Sequence, residues 1–171
     1  MTMTAFMLSQ IIAAISFCSD LIAFYLPKRV YVLRTLALST FLLSVHFLLL
    51  GQHSSAAMMF LACVRFLVAT RSTDKRLVYF FLLAALASCA LTWQGSTDLL
   101  PLGGSLMLTW AAFQTNDIRM RLFTMGGSLF WITNNIVVQS PVAILMETTF
   151  FLSTFVSMVR LQRREKKLIA V

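Results

Sequence analysis

Charged residues are scarce in this 171-residue chain, and acidic residues are the scarcest of them. Only 12% of the residues are charged, with six Asp and Glu against fourteen Lys and Arg, whereas 59% are hydrophobic. A typical soluble domain carries about 25% charged and about 45–50% apolar residues. A globule of this length cannot enclose so much apolar surface, and the mean hydropathy is +0.84. The composition therefore excludes a soluble enzyme, a disordered chain and a secreted disulfide scaffold, and it indicates a multi-pass membrane protein.

Residues that bind metals or perform catalysis are also sparse. The chain has two histidines and three cysteines, and Cys18, Cys63 and Cys89 lie inside apolar runs without a CxxC spacing. The sequence contains no Walker A, HExxH or GxSxG motif. We therefore expect no cofactor, no metal site and no catalytic residues, and we predict that the protein is not an enzyme.

Seven apolar segments are long enough, or nearly long enough, to cross the ~30 Å hydrocarbon layer as helices. Charged, polar, Pro or Gly residues separate each segment from the next. The segments are 5–26, 35–50, 55–70, 77–93, 99–113, 122–138 and 142–159. The sequence thus predicts an all-α membrane protein with seven transmembrane helices, and the lipid bilayer as its main partner.

The basic residues occur only in alternate connections. Thirteen of the fourteen Lys and Arg follow the first, third, fifth and seventh segments, and the connections 51–54, 94–98 and 139–141 contain none. Because basic loops remain in the cytoplasm, we expect the N-terminus outside and the C-terminus in the cytoplasm. Topology then accounts for the net charge of +8, and no nucleic-acid partner is predicted. Since no Lys or Arg precedes the first segment, we expect a retained helix rather than a signal peptide.

An internal repeat relates the second segment to the sixth at an offset of 88 residues. Each contains four residues on one helix face at 4-3-4 spacing. These residues are Ser39, Leu43, His46 and Leu50, then Gly127, Trp131, Asn134 and Val138. The first and fifth segments align more loosely, with Gln10 near Pro101.

The repeat divides a single transmembrane domain into four parts. We predict two parallel three-helix repeats, residues 1–76 and 99–160, joined by a linker helix at 77–98 and followed by a basic cytoplasmic tail at 161–171. In carriers built from parallel repeats, the substrate site lies near the bilayer midplane between the repeats.

The chain resembles the bacterial inner-membrane proteins of the YgjV type in five stretches: LALSTFLLSVHFLLLGQHSSAA, VRFLVATRS, DLLPLGGSLMLTWAAF, FWITNN and METTFFLSTFVSMVRLQRR. The resemblance implies a bacterial inner (plasma) membrane protein, in a family without an assigned activity. That family distantly resembles the PQ-loop and SWEET carriers, which share a 3+1+3 helix plan. Thr154 and Ser157 stand where the resemblance leads us to expect asparagines, and Leu102 follows Pro101 where a Pro-Gln pair is expected.

Polar residues inside the apolar segments are the candidate substrate-binding residues, because such groups usually face the bundle interior. We predict that Trp131, Asn134 and His46 form a pocket for a small polar solute, with the indole covering an apolar face while the amide forms hydrogen bonds. Hydrogen bonding between helices is the alternative role for these residues. Glu147 and Thr154, seven residues apart on one face, extend the predicted polar track.

Four further residues are assigned structural or gating roles. Arg65 either extends to the inner headgroups or pairs with Glu147 across the two halves. Pro101, Gly103 and Gly104 form either a hinge or an ordinary first helical turn, in which proline loses no hydrogen bond.

The sequence therefore favours a small-solute carrier or facilitator with a pocket between two three-helix repeats. A non-transporting accessory, sensor or assembly protein is the alternative, and it rests on Thr154, Ser157 and the basic tail from Arg160. A homo-oligomer is compatible with either function.

Overall fold

The computed structural model describes residues 3–23, 25–72, 74, 76–114 and 116–169, and within them the chain forms seven α-helices without a β-strand. They are α1 (Met3–Ala23), α2 (Arg29–Leu49), α3 (His53–Ala69), α4 (Arg76–Leu91), α5 (Leu99–Ala111), α6 (Asp117–Val137) and α7 (Pro141–Ile169). A 3-10 turn at Ser96–Asp98 precedes α5. Each predicted segment coincides with one helix. Lys75, the side chains of residues 164–169 and the last two residues of the predicted tail lie outside what the structure describes.

The helices differ in how well each one alone could cross a bilayer. Met3–Ala23, Val30–Leu49 and Pro141–Arg163 are long and apolar enough to span it. His53–Ala69 and Arg76–Leu91 are apolar but shorter, and α5 has only 13 residues. Short helices are accommodated by local thinning of the bilayer or by their neighbours in a bundle.

Many of the buried residues of the bundle are small or polar, whereas many large apolar side chains lie on its exterior. In α1 the buried residues are Ser9, Ala13, Ser16, Asp20 and Ala23, which follow one helix face. Large hydrophobic side chains on every long helix are exposed instead. Helices in lipid associate through small residues and interhelical hydrogen bonds, because lipid tails solvate apolar side chains as well as a protein core does. This inside-out pattern is that of a membrane bundle.

Six of the helices form a closed ring. In each half the middle helix packs against both of its sequence neighbours, so α2 lies between α1 and α3, and α6 lies between α5 and α7. Contacts of α3 with α5, and of α7 with α1, join the two halves. Helix α4 packs against α3 and α5.

Small residues allow close approach where α1 crosses α2 and where α5 crosses α6. The Ser16 and Ser39 hydroxyl oxygens are 2.8 Å apart. At the corresponding point in the second half, a Cβ on Gly127 would lie 3.3 Å from the Gly104 carbonyl oxygen. Gly104 and Gly127 lie 88 positions after Ser16 and Ser39.

The helix ends recur at the same offset of 88 residues. The corresponding ends are Ala23 and Ala111, Arg29 and Asp117, Leu49 and Val137, and His53 and Pro141. This register matches Gln10 with Asp98, three positions before the Pro101 of the looser sequence alignment.

The ring has two chemically different ends. We call the end that contains Lys28, Arg71, Arg119 and Arg160 the basic end. The opposite end, called the far end, contains the α2–α3, α4–α5 and α6–α7 connections, which have no Lys or Arg.

Candidate functional site

A cavity of about 490 Å³ lies inside the ring. All six ring helices contribute to its lining, and none of the described residues of α4 does. Its polar lining residues are Asp20, Thr40, Arg65, Ser105, Arg121, Thr124, Ser128, Glu147, Ser153, Thr154 and Ser157. The volume falls within the range of about 300–1,000 Å³ that is typical of small-molecule sites.

An apolar layer closes the cavity toward the far end. The layer consists of Leu43, Met58, Met59, Trp131 and Met146, all of them buried members of the main hydrophobic cluster. Toward the basic end the lining residues Val32, Arg121 and Ser157 are half-buried. This gradient of exposure indicates that the cavity is entered from the basic end.

Four ionisable side chains line the cavity. Around the ring, the two acids lie on adjacent helices, and the two arginines lie on the two helices that flank α5. The acids Asp20 and Glu147 come from α1 and α7, which pack together. Glu147 lies near enough to Asp20 for the two carboxylates to interact, and it also lies beside the Ser128 hydroxyl. The bases Arg65 and Arg121 come from α3 and α6.

The two arginines are not neutralised by the two acids. Arg65 Nη1 donates a 2.5 Å hydrogen bond to Thr109 Oγ1 on α5, and its guanidinium lies 5.4 Å from the centre of the Phe66 ring. The Nε atoms of Arg65 and Arg121 are buried without a hydrogen-bond partner. Among the described residues, no salt bridge joins either arginine to Asp20 or Glu147.

The structure brings four of the predicted site residues to this cavity. Trp131, Glu147, Thr154 and Arg65 all line it. Arg65 and Glu147 share the cavity without direct pairing. Arg65 donates instead to Thr109 on α5.

His46 and Asn134 lie beyond the apolar layer, toward the far end, and outside the cavity lining. His46 is fully buried; its Nδ1 donates to the Ser9 carbonyl over 2.8 Å, and its Nε2 lies 3.2 Å from Ser140 Oγ. Asn134 Oδ1 accepts a 3.3 Å hydrogen bond from Ser55. In the structure, both side chains join helices.

Pro101, Gly103 and Gly104 lie in the first half of α5, which continues through them without a break. Pro101 occupies the first turn and is buried. A Cβ on Gly103 would lie 2.8 Å from the Phe130 ring, and one on Gly104 would lie 2.7 Å from the Trp131 ring. The two glycines therefore provide the space that these aromatic rings occupy.

Sequence reasoning did not assign Asp20 and Arg121 to the site. Arg121 stands one position before the sixth predicted segment, among the loop charges, and Asp20 stands two turns before the basic end of the first. Asp20 falls on the same face as Ser9, Ala13 and Ser16. That spacing of small and polar residues could have identified Asp20 as a residue facing the interior, whereas no feature of the sequence identified Arg121.

Among the described residues, no group of three or more His, Cys, Asp or Glu side chains is arranged to hold a metal ion. The cavity lining combines charged and hydroxyl side chains with the ring of Trp131.

Comparison with known proteins agrees with this membrane architecture. Residues 7–165 match a family described as bacterial inner membrane protein, Imp-YgjV. The chain belongs to the YgjV family. The inner membrane protein YgjV of Escherichia coli (strain K12) is 24% identical to it over 165 residues, which cover 96% of this chain and 90% of that relative. No solved structure matches the chain. Membership of the YgjV family, together with the apolar helices, makes this chain a multi-pass inner membrane protein.

Proposed function

We propose that this protein is a small-solute carrier or facilitator whose substrate binds in the cavity between its two halves. The central observation is the placement of four ionisable side chains in a cavity that all six ring helices line. Ionisable groups within membrane helices are energetically costly, at about 2.5–3.5 kcal/mol each on insertion scales, and they mark substrate and ion pathways. A bundle with only a structural role has no need of such groups in an internal cavity.

The proposal includes the 3+1+3 arrangement. Residues 1–76 and 99–160 are two three-helix repeats of the same orientation, and 77–98 is the linker helix between them. The recurrence of helix ends at 88 residues supports this division, and carriers with parallel repeats bind substrate between them. The protein is proposed to have no enzymatic activity.

The proposed orientation places the N-terminus outside and the C-terminus in the cytoplasm, because basic loops remain inside. The cavity then opens toward the cytoplasm, and the apolar layer around Trp131 separates it from the outside. Transport requires a second state in which this layer opens and the basic end closes. The cavity is complete within one chain, so an oligomer is not needed to form it.

Cysteine accessibility tests this function without knowledge of the substrate. In a background in which Cys18, Cys63 and Cys89 are replaced by Ala, a single Ser128→Cys places a thiol in the cavity lining. The variant is treated with a small membrane-impermeant methanethiosulfonate reagent in right-side-out and in inverted vesicles. Ala13→Cys is the matched control, because Ala13 is fully buried and lies outside the cavity lining.

A carrier exposes its cavity alternately, so Ser128→Cys should react from both sides while Ala13→Cys reacts from neither. Reaction of Ser128→Cys from the cytoplasmic side alone would contradict transport. That result would favour the alternative, a non-transporting accessory, sensor or assembly protein with a one-sided binding cavity.

A further inference from the structure

The segregation of charge in the cavity identifies a substrate class, on the assumption that the proposed function is correct. We infer that the substrate is a small zwitterion with an ammonium group and a carboxylate group. The ammonium group lies toward Asp20 and Glu147, and the carboxylate lies toward Arg65 and Arg121.

Among the described residues, neither the two acids nor the two arginines of the cavity form an ion pair. Asp20 and Glu147 lie on two adjacent helices, and no salt bridge among the described residues joins them to an arginine. Two carboxylates that line one side of a cavity favour a cation between them. An ammonium group meets this requirement.

Both arginines that line the cavity have a buried donor atom without a partner. Arg65 uses Nη1 for Thr109, and its Nε has no acceptor. Arg121 Nε is likewise buried without an acceptor. Buried polar groups are nearly always paired, and a guanidinium is suited to a planar carboxylate, which accepts two parallel hydrogen bonds from it.

Ligands of a single charge fit less well. A simple cation approaches two arginines, and a simple anion approaches two acids, so each gains from one side of the cavity and loses on the other. A neutral polyol leaves all four charges without a counter-ion. The cavity volume of about 490 Å³ accommodates a molecule of amino-acid size.

Thermal stability of the purified full chain in mild detergent tests the inference, because a ligand that binds only the folded state raises the Tm. The probes are L-alanine, L-serine and L-glutamine as zwitterions. Propionate and ethylamine are the matched analogues of L-alanine that lack its ammonium and its carboxylate, respectively. Glucose is the neutral probe.

We expect at least one zwitterion to raise the Tm in a saturable manner, and propionate, ethylamine and glucose to have no effect at the same concentration. Charged hydrogen bonds contribute about 1.5–3 kcal/mol, so Glu147→Gln and Arg65→Gln should each weaken binding by about tenfold to a hundredfold. Asp117→Asn and Arg119→Gln are matched controls, since both residues are exposed and outside the cavity. They should leave affinity unchanged. If Arg65→Gln does not fold, Arg121→Gln serves in its place.

Stabilisation by glucose, propionate or ethylamine but by no zwitterion would overturn the inferred substrate class. So would zwitterion binding that survives all of the cavity substitutions. Neither result affects the cysteine experiment, in which two-sided reaction of Ser128→Cys still supports a carrier. The absence of any Tm shift overturns the substrate class, and together with one-sided cysteine reaction it also overturns the carrier function.

Discussion

Gly51 and Gln139 lie 88 positions apart, and both end a helix with left-handed backbone, at φ values of 73° and 57°. The two turns have the same hydrogen-bond pattern. The amide of the following residue reaches back five positions, from Gln52 to the Phe47 carbonyl and from Ser140 to the Asn135 carbonyl, over 2.9 and 3.0 Å. This is the Schellman helix ending, in which glycine is the favoured left-handed residue. One of the two turns therefore carries a side chain in a conformation that L-residues disfavour.

Gln139→Gly should stabilise the protein, because the left-handed conformation costs a non-glycine residue about 1–2 kcal/mol, partly offset by glycine's freedom in the unfolded chain. We expect a net gain of about 0.5–1 kcal/mol in detergent unfolding. Gly51→Ala is the reciprocal variant and should lose about as much, although nothing lies within 4 Å of its added Cβ. Equal stability of all three proteins would show that the backbone at these turns is not strained.

Gly104→Ala should destabilise the protein and displace Trp131, because the new Cβ would lie 2.7 Å from the indole ring. Overpacking of this kind typically costs about 1–3 kcal/mol. Gly95→Ala is the matched control, since Gly95 has extended backbone and no atom within 4 Å of the added Cβ. The two Tm values in detergent are compared. Trp131→Leu in the Gly104→Ala background should recover part of the loss, and full additivity of the two substitutions would argue against contact between these positions.

Arg65 and Glu147 should show little energetic coupling, because they share the cavity without a direct salt bridge. A double-mutant cycle with Arg65→Met and Glu147→Gln should give an interaction energy within about 0.5 kcal/mol of zero. The cycle of Arg65→Met with Thr109→Val should instead give about 0.5–3 kcal/mol, because it removes the hydrogen bond between α3 and α5. Strong coupling of Arg65 to Glu147 would mean that the two side chains close onto each other in solution.

His46→Leu should lower stability without weakening substrate binding. The substitution removes hydrogen bonds to Ser9 and Ser140 and leaves buried partners unsatisfied, at a cost of about 1–3 kcal/mol. The Tm and the affinity for a zwitterion that binds are measured on the same sample. Tenfold weaker binding at unchanged stability would instead support the sequence-based assignment of His46 to the substrate pocket.

Single cysteines in the connections test the proposed orientation. In the background lacking native cysteines, Ser96→Cys at the far end should react with an impermeant maleimide on intact spheroplasts. Asp117→Cys at the basic end should react only after the membrane is opened. Both positions are exposed, so accessibility within the protein does not limit either reaction. The reverse pattern would invert the topology.

The sequence was sufficient to locate the helices, because long apolar runs and uncharged connections mark helix limits in a bilayer without reference to packing. It also located the repeat, since Ser39 and Gly127 mark one face of α2 and α6. It was harder to predict from the sequence which polar residues line the cavity and which join helices. His46 and Leu43 are less than one helical turn apart, and the sequence of α2 alone does not show that Leu43 faces the cavity while His46 contacts Ser9 and Ser140. The depth of a side chain in the bundle and the rotation of its helix depend on how all the helices pack, not on one segment alone.

The two halves, compared in the register of 88 residues, differ in charge where they line the cavity. Each charged lining residue has an uncharged residue at the matching position of the other half. The pairs are Asp20 and Leu108, Arg65 and Ser153, Arg121 and Leu33, and Glu147 and Met59. A dimer of identical three-helix chains would carry every one of these charges twice, with acids facing acids and arginines facing arginines across the axis. In the proposed 3+1+3 arrangement the two halves belong to one chain joined through α4, so each half can carry its own side chains and the cavity can hold each of its two acids and two arginines once.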